Sequence, residues 1–254
     1  MRGGYKLVLR PAGDSFERDL YWRRTYEAGV LALMENVIAR GDSVIDVGAN
    51  IGVMTLRAAQ LVGPDGRVLA LEPHPVLHQR LCGHIELNAQ PHVRALPVAA
   101  GATAQRQPLF DAPGIHIGRA SLWPQANAIP VSTVAVETLD TLAADMPTIR
   151  FLKIDVEGAE ADVIAGARHV LCRTAVVCME VSAALDHPRG PLCAHDALMS
   201  LGRFEAFNFK HGKERPSPLV AVHDRQRLSA QRHDNVVYVA ASLRSALPPS
   251  LFDR

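Results

Sequence analysis

From Ser43 onward, short apolar runs alternate with stretches of helical periodicity. Val44–Val47, Val68–Leu71 and Val93–Leu96 are apolar runs of strand length. Ile51 to Leu61 and about Val76 to Asn88, between them, carry apolar residues at three- and four-residue spacing. This alternation predicts β-α-β units: an α/β fold with a largely parallel sheet and helices on both faces. The rhythm resumes later with a strand at Val131–Val136, a short helix at Leu139–Asp145 and a buried strand at Phe151–Ile154. A helix near Ala161–Leu171, the strand Ala175–Glu180 and a helix at Pro191–Leu201 follow, the last ended by Gly202. Ala206–Phe209 and Val236–Ala240 predict an antiparallel hairpin closing the sheet, with residues 211–234 as its long polar connection.

Outside this frame the pattern weakens. Lys6–Leu9 reads as a short strand, followed by a polar segment containing arginines and aromatics. Tyr26–Ala39 reads as an amphipathic helix, with Val30, Leu33, Met34, Val37 and Ile38 on one face. Residues 101–130 contain Pro108, Pro113, Gly114, Gly118, Pro124 and Pro130, so loops and short hairpin strands are expected. Residues 242–254, with Pro248-Pro249, read as a loosely held tail. The organisation expected is a single domain over 1–254: an N-terminal strand and helix cap (1–40), a core (41–241) and the tail.

Composition narrows the class. The 254 residues are 48% hydrophobic and 21% charged with a net charge of +1, an ordinary globular balance with no field toward nucleic acid or membrane. The four cysteines, Cys82, Cys172, Cys178 and Cys193, form no C-x-x-C pair and lie at no zinc-finger spacing. No signal-peptide core stands at the N-terminus, and no apolar run reaches the ~18–20 residues needed to cross a bilayer. A cytoplasmic location is expected.

The chemistry begins at Asp46-Val47-Gly48-Ala49-Asn50-Ile51-Gly52, between the first strand of the rhythm and its helix. Such a turn lets a ligand approach backbone atoms closely. The dinucleotide fingerprint G-x-G-x-x-G is not met, because Asn50 stands where the second glycine would admit a pyrophosphate. The spacing met, acid-x-Gly-x-Asn-x-Gly, suits S-adenosylmethionine, which has no phosphate. Its ammonium wants a carboxylate such as Asp46, and its carboxylate wants backbone N–H groups. Glu72, in Leu71-Glu72-Pro73-His74-Pro75, ends the second strand of the rhythm, where an acid accepts hydrogen bonds from ribose hydroxyls. Asp155 follows another strand, in Lys153-Ile154-Asp155-Val156-Glu157-Gly158-Ala159-Glu160, and points toward the same crevice; Glu157 faces it or solvent. Glu180 is a further acid at a strand end.

With these segments the chain resembles the FkbM-type methyltransferases. The match continues through Tyr26-Glu27, Gly41 to Ile45, Leu87-Asn88, Thr138-Leu139-Asp140, Gly166-Ala167, Met179-Glu180 and Asn235 to Val239, in order from about 26 to 240. The resemblance implies a class I, Rossmann-like fold, its sheet mostly parallel with an antiparallel last strand. It also implies O-methylation of a hydroxyl on a sugar, polyketide or related metabolite. His84, where the family has Asn, and Arg203-Phe204 after Gly202 depart from the pattern. Both departures bear on the acceptor and local packing rather than on the cofactor.

The cofactor set expected is Glu27, Asp46, Gly48, Asn50, Gly52, Glu72, Pro73 and Asp155. Asp155 leads the candidates for taking the acceptor's proton, followed by Glu157 and Glu180. Magnesium held by Asp155 and Glu180 is the alternative to a simple base. Glu27 and Asn235 are candidate acceptor contacts. His211, His223 and His233 read as surface residues. The expected partner is a small-molecule or glycan acceptor, without nucleic acid or membrane. Two other classes compete: an NAD-dependent oxidoreductase, against which Asp46 and Asn50 argue, and a non-catalytic scaffold, which would need none of these acids.

Overall fold

A computed structural model describes residues 4–12, 15–111, 120–123, 128–182, 192–223, 228 and 232–253, without the side chains of 182 and 232–234. Pro113, Gly114, Gly118, Pro124, Pro191 and the His233 side chain therefore lie outside the described residues. The central sheet has eight strands. Its parallel core comprises β1 (Ser43–Val47), β2 (Arg67–Leu71), β3 (Val93–Leu96), β7 (Ile149–Ile154) and β8 (Thr174–Ser182). β1 is buried along its whole length, as expected of a parallel strand covered on both faces. Beyond β8 lie β11 (Arg232–Ala240), β9 (Phe204–Phe209) and β10 (Leu219–Ala221), in the order β10-β9-β11-β8-β7-β1-β2-β3. β11 runs antiparallel between β8 and β9.

Strand order reverses between β1 and β7, and the carboxyl ends of those two strands form the crevice where open α/β sheets bind ligands. α3 (Val53–Val62) and α4 (Pro75–Leu87) follow β1 and β2, as the periodicity predicts. The helix expected at 161–171 is split into α6 (Glu160–Ala165) and α7 (Arg168–Cys172). At the break, a Cβ on Gly166 would lie 2.0 Å from the Gly101 carbonyl oxygen. Asp140 supplies the cap for the second piece, accepting from the N–H groups of His169 and Val170.

Several expectations are corrected. Residues 6–9 are extended but join no strand ladder; their backbone bonds to side chains of α4 instead. The Lys6 N–H and C=O pair with the Asn88 amide just past the helix, the Val8 N–H donates to His84 Nε2, and Arg80 donates to the Val8 carbonyl. The polar segment after them is helical, α1 (Ser15–Arg23), and α2 (Ala28–Val37) is the amphipathic helix. Residues 101–130 contribute a seven-residue strand, β5 (Gln105–Asp111), antiparallel to β6 (Ile129–Glu137). With β4 (Val98–Ala100) they form a second, three-stranded sheet. The 211–234 connection includes β10, so the antiparallel pair is interior rather than terminal. No helix among the described residues is long and apolar enough to cross a membrane.

The tail is packed rather than loose. Leu247, Leu251 and Phe252 are buried, the Arg244 guanidinium sits 3.2 Å from the Phe252 ring centre, and Asp253 donates its N–H to the Leu219 carbonyl. The proline pair stiffens the tail instead of releasing it, since Pro249 opens the short 3-10 turn that carries Leu251. Phe252→Ala is expected to lower unfolding free energy by about 3 kcal/mol. Chemical denaturation measures this, and an unchanged midpoint would show that the tail contributes nothing.

Candidate active site

Two turns meet at the switch point. The Asp155 N–H donates to the Val47 carbonyl at 3.0 Å, and a Cβ on Gly48 (φ +84°) would lie 1.8 Å from the Asp155 carbonyl oxygen. Only glycine allows this approach. Asn50 also takes a positive φ, and its side chain accepts from the Ile51 N–H at 2.7 Å, steadying the turn. Gly52 precedes α3 with φ +96° and packs against Leu81. The Asp155–Gly158 turn is held by the Glu160 carboxylate, which accepts from the N–H groups of Val156 and Gly158. Burial raises the Glu160 carboxyl to about 6.

Two contiguous clefts open around Gly48, Asn50, Asp155 and Glu157. One, about 540 Å³, is mostly apolar, walled by Leu71, Leu77, Val98, Ala99, Leu109 and Leu122. Glu72 and Pro73 stand on its rim. The Glu72 oxygens accept from the N–H groups of Asn50 (2.7 Å) and His74 (2.9 Å), and burial raises the carboxyl to about 7. His74 also caps α4, Nδ1 accepting from the Val76 N–H. Leu109 of β5, with Ala120 and Leu122 beyond it, lines this arm, and Ser121 Oγ donates to the Glu157 carbonyl at 2.7 Å.

The other cleft, about 590 Å³, is polar, lined by Asp46, Lys153, Asp155, Glu157, Glu180 and Glu27 with the rings of Phe16 and Tyr26. Asp46 is buried, accepts from Thr55 Oγ1 at 2.6 Å and is raised to about 6 by desolvation. Glu27 is fully buried at the α1–α2 junction in a left-handed conformation. Its carboxylate meets Lys213 Nζ at 2.8 Å, Lys153 Nζ at 3.8 Å and Asn235 Nδ2 at 3.1 Å. Lys153 also bonds Asp155 at 2.8 Å, and Lys213 reaches Glu180 at 3.3 Å. Burial opposes ionisation of Asp155, yet Lys153 and Lys213 hold its carboxyl below the usual carboxylate range. Glu180 moves the other way: desolvation first, then the Asp155 charge, push it up to about 8. Ligand-capable oxygens of Asp155, Glu157 and Glu180 lie within 4.8 Å of one another.

The fold thus gathers Glu27, Asp46, Gly48, Asn50, Glu72, Pro73, Asp155, Glu157 and Glu180 around the clefts. Gly52 lies behind the turn, and Asn235 is wholly buried behind Glu27, lining neither cleft. His211 and His223 are exposed. The sequence reading did not assign Lys153, Lys213, Thr55, Phe16 or Tyr26 to the site. Lys153 carried a signal, a lysine inside an otherwise apolar strand; Lys213, in a polar loop, carried none.

Asp46, Glu72, Glu160 and Glu180 share one consequence. Their folded values, about 6 to 8, exceed the ordinary carboxyl values of 3.8 and 4.5. Each contributes stability that is full below the ordinary value and is lost as pH rises through the folded one. Asp155 has the opposite sign, contributing above the ordinary carboxylate value. The unfolding free energy of the ligand-free protein is therefore expected to fall between about pH 5 and pH 8. A rise across that window in chemical denaturation would mean that these groups are ionised in the fold.

Comparison with curated proteins gives no match. Among solved structures, the chain is similar to a methyltransferase FkbM from Methylobacillus flagellatus, with 16% identity and a TM-score of 0.48 over 78% of this chain. It spans only 43% of that protein's length. A putative rRNA-methylase from Clostridium thermocellum is similar at 11% identity and TM-score 0.49, over 85% of this chain and 97% of that one. A TehB-like methyltransferase from Corynebacterium glutamicum is similar at 11% identity and TM-score 0.48, over 89% and 95%. The profile of the methyltransferase FkbM domain matches residues 46–210, from the acid of the first turn to the strand beyond Glu180, and the chain belongs to that family.

Proposed function

We propose that this protein is an S-adenosylmethionine-dependent O-methyltransferase acting on a hydroxyl of a sugar, polyketide or other small metabolite. Glu72 carries the cofactor reading. Its oxygens are already oriented by two backbone N–H groups, and each keeps a lone pair for a ribose hydroxyl beside an apolar arm that suits a purine's character. Asp46 supports the ammonium end, directly or through water, while Gly48 to Gly52 offer close backbone. Pro73 holds the Glu72 rim rigid. When bound there, S-adenosylmethionine supplies an electrophilic methyl group, whose bond to sulfur breaks with the electron pair left on sulfur.

The chain's own task is to take the proton of the acceptor hydroxyl, a poor nucleophile while protonated. Lys153 keeps Asp155 ionised, which makes it a weak base but a good anchor. Glu180, raised to about 8, is matched to the task once it has released its own proton. We assign Asp155 to orienting the hydroxyl and Glu180 to receiving its proton, with Glu157 beside them. Glu27 and Asn235 position the lysines rather than touch either ligand. A second reading places magnesium on Asp155, Glu157 and Glu180, favoured by their clustered oxygens. Lys153 weighs against it, since its ammonium already neutralises Asp155.

Glu72→Ala is expected to weaken S-adenosylmethionine and S-adenosylhomocysteine binding alike, by about tenfold or more in calorimetric titration. Unaltered affinities would contradict the ribose assignment. Glu180→Gln should keep S-adenosylhomocysteine affinity while turnover of any accepted substrate falls by about 10²–10⁴. Wild-type turnover should rise with pH through about 8 and survive exhaustive chelation. Loss on chelation, restored by magnesium, would establish the second reading.

A further inference from the structure

The polar cleft is lined by both acids and aromatic rings. Asp155, Glu157 and Glu180 cluster there, their oxygens within 4.8 Å of one another, and Asp46 lines the same cleft. The ammonium groups beside them, Lys153 and Lys213, are committed to Asp155, Glu27 and Glu180 by bonds of 2.8 to 3.8 Å. Five carboxyl groups therefore surround two lysines, counting Glu27, Asp46, Asp155, Glu157 and Glu180. Two aromatic rings, Phe16 and Tyr26, line the same cleft. They meet edge to face, centroids 4.9 Å apart and planes at 87°. Phe16 comes from α1 and Tyr26 from the junction before α2, so the pair is a built contact between two separate segments.

We propose that the Phe16–Tyr26 wall, which shares this cleft with the carboxylates, recognises the positive charge of the sulfonium, so that this site binds S-adenosylmethionine in preference to S-adenosylhomocysteine. The inference rests on the cofactor reading above and deepens it. An aromatic face attracts a cation through its quadrupole, more strongly where water is excluded. A cation in a cleft lined by such rings and by an excess of carboxylate is stabilised by both. A neutral thioether of the same shape gains neither. Methyl transfer extinguishes the charge that the wall holds, so the product loses affinity at the step that forms it. Phe16 and Tyr26 are thus specificity-determining for the charged cofactor and play no part in proton transfer.

The test is calorimetric titration with three probes: S-adenosylmethionine, S-adenosylhomocysteine, and sinefungin, which carries an ammonium near the sulfonium position. Wild-type protein is expected to bind the two charged probes about tenfold more tightly than the thioether. Phe16→Leu keeps bulk and removes the ring; it should cost the charged probes about fivefold to tenfold and S-adenosylhomocysteine less than about twofold. Tyr26→Leu is the second variant, judged on the same ratio so that a general loss of folding cannot imitate the effect. Equal or tighter wild-type binding of S-adenosylhomocysteine overturns the proposal. So does a variant that weakens all three probes alike, which makes the wall mere packing, or none of them, which gives the rings to the acceptor. Binding of no probe overturns the cofactor reading and this inference with it.

Discussion

The site depends on one backbone contact, the approach of the turn after β1 to the turn after β7. With Gly48 lacking a Cβ, the Asp155 carbonyl can close onto it, and the Asp155 N–H can reach Val47. Any side chain at position 48 would push the two strand ends apart. Asp46, Glu72 and Asp155 would then no longer face one crevice, because each is placed by the end of its own strand. The two clefts share Gly48, Asn50, Asp155 and Glu157, so the same contact also joins the apolar arm to the polar one.

A second constraint fixes what closes over that crevice. Glu27 is fully buried, a position tolerated for an acidic side chain only with close partners, since an uncompensated buried charge costs several kcal/mol. Its partners come from three places: Lys153 on β7, Asn235 on β11 and Lys213 in the loop between β9 and β10. The Lys213 carbonyl also accepts from the Gly29 N–H at 2.8 Å. Residue 29 must stay small, because a Cβ there would lie 2.8 Å from the carbonyl oxygens of Lys213 and Arg215. The N-terminal helices are thus fastened to the sheet by charge and by backbone at once, and this fastening brings Phe16 and Tyr26 to the polar cleft. The left-handed Glu27 backbone is strain that the network holds in place.

What could be read in the sequence follows the range of the interactions. The β1, β2, β7 and β8 runs are legible because strands covered on both faces must be largely apolar, whereas β3, a half-exposed edge strand, is legible from the β-α-β rhythm. The acids at their ends were readable because strand ends converge at the switch point of an open sheet. Features set by distant partners were not readable. Lys6–Leu9 has strand-like composition, but its hydrogen-bonding edge is taken by Arg80, His84 and Asn88, spaced one helical turn apart along and just past α4. Lys213 belongs to a loop that reads as solvated, and only Glu27 and Glu180 explain its place. The tail was misread because prolines often mark loose ends, whereas here they turn Leu251 and Phe252 into the core beside Phe207.

His84 shows how a departure from the family pattern can leave the cofactor cleft intact. The imidazole is buried and bridges two backbones, Nδ1–H donating to the Ile51 carbonyl at 2.7 Å while Nε2 accepts from the Val8 N–H at 3.0 Å. Those bonds require the neutral ring with its proton on Nδ1. An asparagine amide offers the same pairing, one donor and one acceptor, on a shorter side chain. The exchange therefore keeps the hydrogen-bond logic and changes reach. One end of the bridge steadies the glycine turn immediately before α3; the other pins the extended N-terminal segment that leads into α1. The residue lines neither cleft, yet it couples the glycine turn to the segment that leads into the helix carrying Phe16.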